Sequence, residues 1–193
     1  MIVKKIPRLA GGSGFGHARH VRNLVNYMQK PDKGSPYAEA LLRYLQEQGI
    51  EVEGVERLLH LGARNFLTQT VVGQRAEMMA TASQALKSPN PLSHWLISWK
   101  EHERPTKDEL DEAAEIFLDH LGLGQHQAIY AAHSDTHNVH LHIAVNRYDP
   151  FRERMLKVNG GFDLEAAHAA IALIVEKQGW EPEEKARYHV VDG

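Results

Sequence analysis

The stretch HQAIYAAHSDTHNVHLHIAVNRY, residues 126–148, decides the fold. Two runs suited to strands, 126–133 and 138–148, flank the tight polar connector SDTH, the pattern of an antiparallel hairpin. Side chains two apart on a strand share a face, so His140 and His142 point one way. Val139, Leu141 and Ile143 point the other way and can serve a core. His133 closes the first strand and sits across the hairpin from the pair. Three neutral imidazoles converging from paired strands make one side of a metal coordination sphere, with positions left open for water or substrate. Asp135 and Asn138 stand close enough to fix an imidazole tautomer through its second ring nitrogen. His137 falls at the connector and is expected to face solvent. Histidines at alternate strand positions also cover wet sheet faces. What favours a metal here is their apolar alternate face and the preceding His133-x-Asp135. Spacing does not choose the ion, since imidazole suits several transition metals and a phosphate oxygen would complete the sphere of a hard divalent cation.

Outward from the hairpin, strands and helices interleave. MIVKKIP reads as a short strand ended by Pro7, and Val21, Leu24, Val25 and Met28 recur at helical spacing within 17–29. A second helix is expected over about 37–48, stopped by Gly49, then a strand at 55–61 and a long helix over about 68–86. SHWLISWKE (93–101) reads as a strand, and Thr106 with the acids that follow opens a helix over about 107–121. A last helix covers 163–179. The expected fold is an α/β arrangement of the α+β sandwich kind. Its central antiparallel sheet carries the His-x-His strand, with helices packed on its faces.

At 193 residues the chain suits one domain, and its 42% hydrophobic content supplies a core. It has no cysteine, which excludes disulfides, thiolate metal sites and cysteine nucleophiles and is consistent with a cytoplasmic setting. No apolar run approaches the ~20 residues of a membrane span, so no membrane insertion is expected. The net charge of −3 is unevenly spread. Residues 1–33 hold Lys4, Lys5, Arg8, Arg19, Arg22, Lys30 and Lys33 against one acid, Asp32, as an anion-binding face on an acidic domain would.

A metal with open positions needs a reacting partner. No serine lies in a G-x-S-x-G elbow, which leaves tyrosine. Tyr27 lies near the end of the basic segment, in LVNYMQK, on a helix whose apolar face would dock it on the sheet. A phenol attacks well when it is deprotonated and its electrophile is polarised by a metal. Phosphodiester cleavage fits, because a phosphotyrosyl product conserves the bond for rejoining. Tyr37 and Tyr44 are further tyrosines nearby, and the basic helix favours Tyr27.

HSDTHNVHLHIAVN (133–146) resembles the H-x-D-x-x-N-x-H-x-H-x-x-x-N segment of conjugative relaxases, the HUH-type mobilisation nucleases. MIVKKIP with LVNYM is similar to that family's first strand and tyrosine-bearing helix. HWLISWKEHERPTKDEL (94–110) and GARNFLTQTVVGQRAEM (62–78) resemble its middle and connecting segments. The resemblance implies a single-tyrosine, HUH endonuclease-like domain over 1–193, the N-terminal part of a longer protein. Such a domain nicks one DNA strand at an origin of transfer, joins Tyr27 to the 5′ phosphate, and later religates. It implies that His133, His140 and His142 hold a divalent ion, Mg or Mn. Asp135 would orient a histidine or take the tyrosyl proton, Ser98 would contact DNA beside the scissile phosphate, and Asn138 and Asn146 would support the site. The implied partners are single-stranded DNA, an accessory DNA-binding protein and a type IV secretion coupling protein. The implied setting is the cytoplasm of a bacterial donor cell, with transfer alongside the DNA into the recipient. Residues 34–54 look longer than compact members need, so their helix is expected to be an addition.

Single strands bind in basic grooves with aromatic platforms. Arg19 and Arg22 are the expected phosphate contacts, and Phe15, Trp95, Trp99 and Tyr148 the stacking candidates. Trp95 and Trp99 share the face of Ile97, which points them to the core instead. The competing readings are a replication initiator with the same chemistry, a three-histidine metal hydrolase or oxygenase unrelated to DNA, and a non-catalytic DNA-binding module.

Overall fold

A computed structural model describes residues 1–9, 16–30, 34–50, 57–134 and 137–191. Its elements run β1 (Ile2–Ile6), α1 (His17–Gln29), α2 (Pro36–Glu47), β2 (Arg57–Arg64), α3 (Val71–Ser83), β3 (Leu92–Ser98), α4 (Lys107–His120), β4 (Ala128–Ser134), β5 (Val139–Asn146), β6 (Tyr148–Asp149), β7 (Arg154–Met155) and α5 (Asp163–Gln178). Five strands form one sheet in the order β1-β3-β5-β4-β2, and every neighbouring pair is antiparallel. The β4–β5 hairpin expected from the sequence is therefore the middle of the sheet, with β5 the central strand.

The two faces of that sheet are chemically unlike. Val139, Leu141, Ile143 and Val145 of β5 join Trp95 and Ile97 of β3 in a dry cluster against α4 and α5, where Trp95 meets Phe117 edge to face at 5.5 Å. Trp95 and Trp99 are both buried, so their expected place in the core is where they lie. The opposite face carries Leu92, Leu96, Ile129, Ala131 and Ala144 and is covered by α1, α2 and α3. The histidines of β4 and β5 belong to this second face. The result is a three-layer sandwich of helices, antiparallel sheet and helices.

Local signals set the helix ends. Thr106 accepts a hydrogen bond from the Glu109 amide while the Glu109 carboxylate reaches back to the Thr106 amide, a reciprocal cap that starts α4. Ser35 and Thr70 cap α2 and α3 in the same one-sided sense. The third helix accordingly begins at Val71 rather than Thr68. The helix expected as an addition over 34–54, α2, buries Ala38, Leu41 and Leu45 fully, within the same cluster as Leu24 and Met28 of α1. The β6–β7 ribbon was not expected, because two-residue strands leave no periodicity to read.

The edge strand β2 is fastened to α4 by side chains. Asp111 accepts from the Tyr130 hydroxyl at 2.7 Å and lies 2.6 Å from Nε2 of His60, and Arg64 reaches Glu115 at 3.2 Å. Gly62 makes this possible, because a Cβ there would overlap the Tyr130 ring. A Gly62→Ala variant is therefore expected to lower stability by about 1–3 kcal/mol in urea unfolding, the usual cost of overpacking; an unchanged midpoint would show that the ring moves freely.

Candidate functional site on the histidine face

The strand register places the histidines. His133 of β4 pairs directly with His140 of β5, and Ser98 of β3 pairs with His140 from the other side. Directly opposed residues on antiparallel strands share a face, so Ser98, His140 and His133 form a row across three strands. In the next row His142 stands between Leu96 and Ala131, and in the third His94 faces Ala144. The small Ala131 and Ala144 leave room for rings beside them. His133, His140, His142 and His94 are all buried.

Helix α1 lies over these rows with His20, Leu24 and Tyr27 turned inward, while Arg19 and Arg22 are exposed. The Tyr27 ring meets His133 at 5.6 Å and His142 at 5.5 Å between centroids, both edge to face. The helix end is held by a specific bond. The last carbonyls of a helix have no partner within it, and the Met28 carbonyl accepts from Nε2 of His133 at 2.7 Å. One histidine thus anchors the turn that carries Tyr27.

Burial sets the protonation of the interior rings. Desolvation, reinforced by the neighbouring histidines, holds His142 well below the usual imidazole range. His94 is lowered to about 3 by burial, with further depression from His20 and His133. His20 is lowered to about 4 by burial and by the charges of Arg8 and His17. These rings are neutral at pH 7, the form in which imidazole ligates a metal.

The donor set therefore suits a divalent ion in chemistry and in placement on one face. The rings are nevertheless turned to other partners: Nε2 of His133 is held by Met28, and Nδ1 of His142 lies 3.0 Å from Nε2 of His94. Among the described residues, no three histidine or carboxylate side chains form a ready coordination group. The expectation of three converging imidazoles is thus met in register and face, and not in ring orientation. Asp135, the expected orienting or proton-accepting carboxylate, lies outside the described residues, as does Phe15.

Other expected residues divide by distance. Ser98, Asn138 and His140 line a surface cleft of about 580 Å³ together with Lys100 and His137. His137 is half exposed and pairs with Glu101 at 3.0 Å, as a residue at the connector should. Asn146 shares the face of His140 and His142, paired with Leu92 one row beyond His94. It lies six residues beyond His140, ~20 Å along the strand at ~3.3 Å per residue, where its side chain accepts from the Tyr148 amide and supports the turn into β6. Tyr44 donates to the Lys5 carbonyl at 3.1 Å, and its pKa is raised by burial. Tyr37 stacks 6.0 Å from Tyr27, and burial raises its pKa strongly. Burial favours the neutral phenol of both, but Tyr27 is itself only 3% exposed, so burial does not separate the three tyrosines. The sequence reading missed His94 and His20. The signal for His94 was parity: it shares a face with Leu96 and Ser98 in LSHWLIS.

The model of the relaxase family described as MobA/VirD2-like, nuclease domain, matches residues 44–180. Protein MobA of Acidithiobacillus ferrooxidans is 46% identical over 115 residues, covering 60% of this chain and 28% of that protein. A protein TraI of Escherichia coli is 34% identical over 121 residues, covering 62% of this chain and 16% of that protein. A second TraI of Escherichia coli is 34% identical over 100 residues, covering 51% of this chain and 13% of that protein. The chain thus spans well under a third of the length of these curated relatives. The family match begins after Tyr27, so the place of that residue rests on its own geometry.

The neutral interior rings fix a pH dependence. A histidine whose folded pKa is depressed binds fewer protons folded than unfolded, so its contribution to stability is complete above the unfolded value and is lost as pH falls. For His20 the window runs from the ordinary imidazole value of 6.5 down to about 4, with a slope of about 1.4 kcal/mol per pH unit inside it. Urea unfolding between pH 7 and 4 should show this loss, and His20→Asn should flatten it by about one proton's worth. An equal slope in the variant would contradict the assignment.

Proposed function

This chain belongs to the relaxase family with the MobA/VirD2-like nuclease domain, and from that premise we propose that it nicks a single DNA strand at an origin of transfer, with Tyr27 as the nucleophile. The observation that carries the reading is the contact of the Tyr27 ring with both His133 and His142 on one face of the central strands. A phenol needs an electrophile beside it, and a phosphate held at these imidazoles is within reach of the ring's edge.

In the step itself, the Tyr27 oxygen forms a bond to the scissile phosphorus as the bond from phosphorus to the 3′ oxygen breaks. The phenolic proton passes to an adjacent base, a role we assign to Asp135 from its place in the motif, and the leaving 3′ oxygen takes up a proton. The 5′ phosphate stays joined to Tyr27, and attack by a 3′ hydroxyl reverses the reaction. His133, His140 and His142 would hold the metal, Mg or Mn in function. A divalent ion bound there would draw charge from the nonbridging oxygens and so favour attack. His133 must then exchange its bond to the Met28 carbonyl or ligate through its other nitrogen. Ser98 and Asn138 line the cleft that reaches His140 and would contact the strand beside the scissile phosphate. Arg19 and Arg22, exposed on the outer side of α1, would hold flanking phosphates. Asn146 would act from a distance by shaping the end of β5.

The reading extends to the whole protein as a proposal: a nicking domain at the start of a longer relaxase, acting in the cytoplasm of a bacterial donor with an accessory DNA-binding protein and a type IV secretion coupling protein, and passing with the DNA into the recipient. No helix among the described residues is long and apolar enough to cross a membrane.

The test is an incubation with single-stranded oligonucleotides tiled across the DNA element that carries the gene, with Mn²⁺, followed by denaturing electrophoresis. A protein–DNA adduct is expected, absent in Tyr27→Phe and reduced at least ~100-fold in rate by His140→Ala with His142→Ala, since a catalytic ion contributes several kcal/mol. An adduct persisting in Tyr27→Phe would contradict the assigned nucleophile. Replacing Arg19 and Arg22 by Ala should weaken binding of unrelated single strands alike and reduce the salt slope by ~1.4, about 0.7 per phosphate contact; an unchanged slope would place the phosphates elsewhere.

A further inference from the structure

His94 has no part in the mechanism above, yet it is fully enclosed behind the site. It stands opposite Ala144, on the same face as His142, and its ring leans diagonally along the sheet. Its Nε2 lies 3.0 Å from Nδ1 of His142, with 5.3 Å between ring centroids. Its own Nδ1 is buried and makes no hydrogen bond among the described residues. A leucine would fill such a position without the cost of burying a polar ring. Among the described residues, the contact with His142 is the polar contact made by this imidazole.

A neutral imidazole has one lone-pair nitrogen, and the other carries its proton. If His142 is to ligate through Nε2, its Nδ1 must bear the proton and that N–H needs an acceptor. We propose that His94 is a positioning residue for His142, accepting its Nδ1–H and thereby fixing both the ring and the tautomer that leaves Nε2 free to bind a metal. The inference rests on the metal reading of the site and adds to it the residue that prepares one ligand.

The enclosed Nδ1 of His94 is a lone pair when His94 donates from Nε2 to His142 and an N–H when it accepts there, so accepting the His142 proton costs the desolvation of that N–H. Loading the site moves both rings to the other tautomer. His142 loses its proton at Nε2 and gains one at Nδ1, while His94 loses its proton at Nε2 and gains one at Nδ1. The pair holds two protons before and after, so no net proton leaves it.

Zinc serves as the probe, being diamagnetic and well suited to imidazole. Calorimetric titration of Zn²⁺ into the wild type, His94→Leu and His94→Gln should show affinity falling by about 10–100-fold in His94→Leu, the usual effect of losing such a supporting group. His94→Gln, whose side-chain oxygen can still accept, should recover most of it. Nitrogen-15 spectra of the zinc-loaded wild type should show His142 Nδ1 as an N–H nitrogen and His94 Nε2 as a lone-pair nitrogen. Wild-type affinity in His94→Leu, an equal loss in His94→Gln, or zinc bound at Nδ1 of His142 would each overturn the proposal. A wild type that binds no zinc would remove the metal reading and this inference together, a pattern distinct from binding that survives in His94→Leu. Should His94→Leu fail to fold, the wild-type spectrum decides.

Discussion

The structure depends on the pairing of His133 with His140 between the two central strands. That register fixes which face every residue of β4 and β5 presents, and a slip by one would send all of the imidazoles into the dry side beneath α4 and α5. In the observed register, Leu141 and Ile143 fill that dry side while His140 and His142 turn to α1. His133 then does more than line the row. By bonding the Met28 carbonyl it joins the sheet to the last turn of α1, and so sets the position of Tyr27.

The two sides of the sheet divide the work of stability and function. Under α4 and α5 the core is almost wholly apolar, with Trp95, Trp99 and Phe117 fully enclosed. Under α1, α2 and α3 five histidines among the described residues, His20, His94, His133, His140 and His142, share the interior with leucine and alanine. The rings of His20, His94 and His142 stay neutral there, at a cost in stability whenever protons are plentiful. Natural proteins break local rules of core composition where function requires it, and here the break is confined to one face. Because neutral rings are also the ligating form, the burial that weakens the fold in acid prepares the site at neutral pH.

Much of this was legible in the chain. Alternation in VHLHIAV separates the histidines from the core, and the Thr106–Glu109 cap and the helical spacing of Val21, Leu24 and Met28 announce their helices. What was hidden is non-local. His94 lies 48 positions from His142, and only the pairing of β3 with β5 brings them together. The same holds for the packing of α2, whose Leu41 and Leu45 join the core beside α1 only through tertiary contact. Ring orientation is equally illegible: spacing shows that three imidazoles share a face, but the bond from His133 to a helix carbonyl belongs to tertiary structure. Asn146 shows the limit of motif reading, since its place in the pattern says nothing of the Tyr148 amide that its side chain holds.

The central claim is that a phenol laid against a row of buried imidazoles makes this domain a tyrosyl strand-transfer enzyme, and it predicts one covalent bond. The direct measurement is mass spectrometry of the tryptic peptides from protein trapped on its DNA. The account predicts a nucleotide mass on the peptide NLVNYMQKPDK, residues 23–33, which contains Tyr27 and no other tyrosine. A nucleotide carried instead by the peptides bearing Tyr37 or Tyr44 would contradict it.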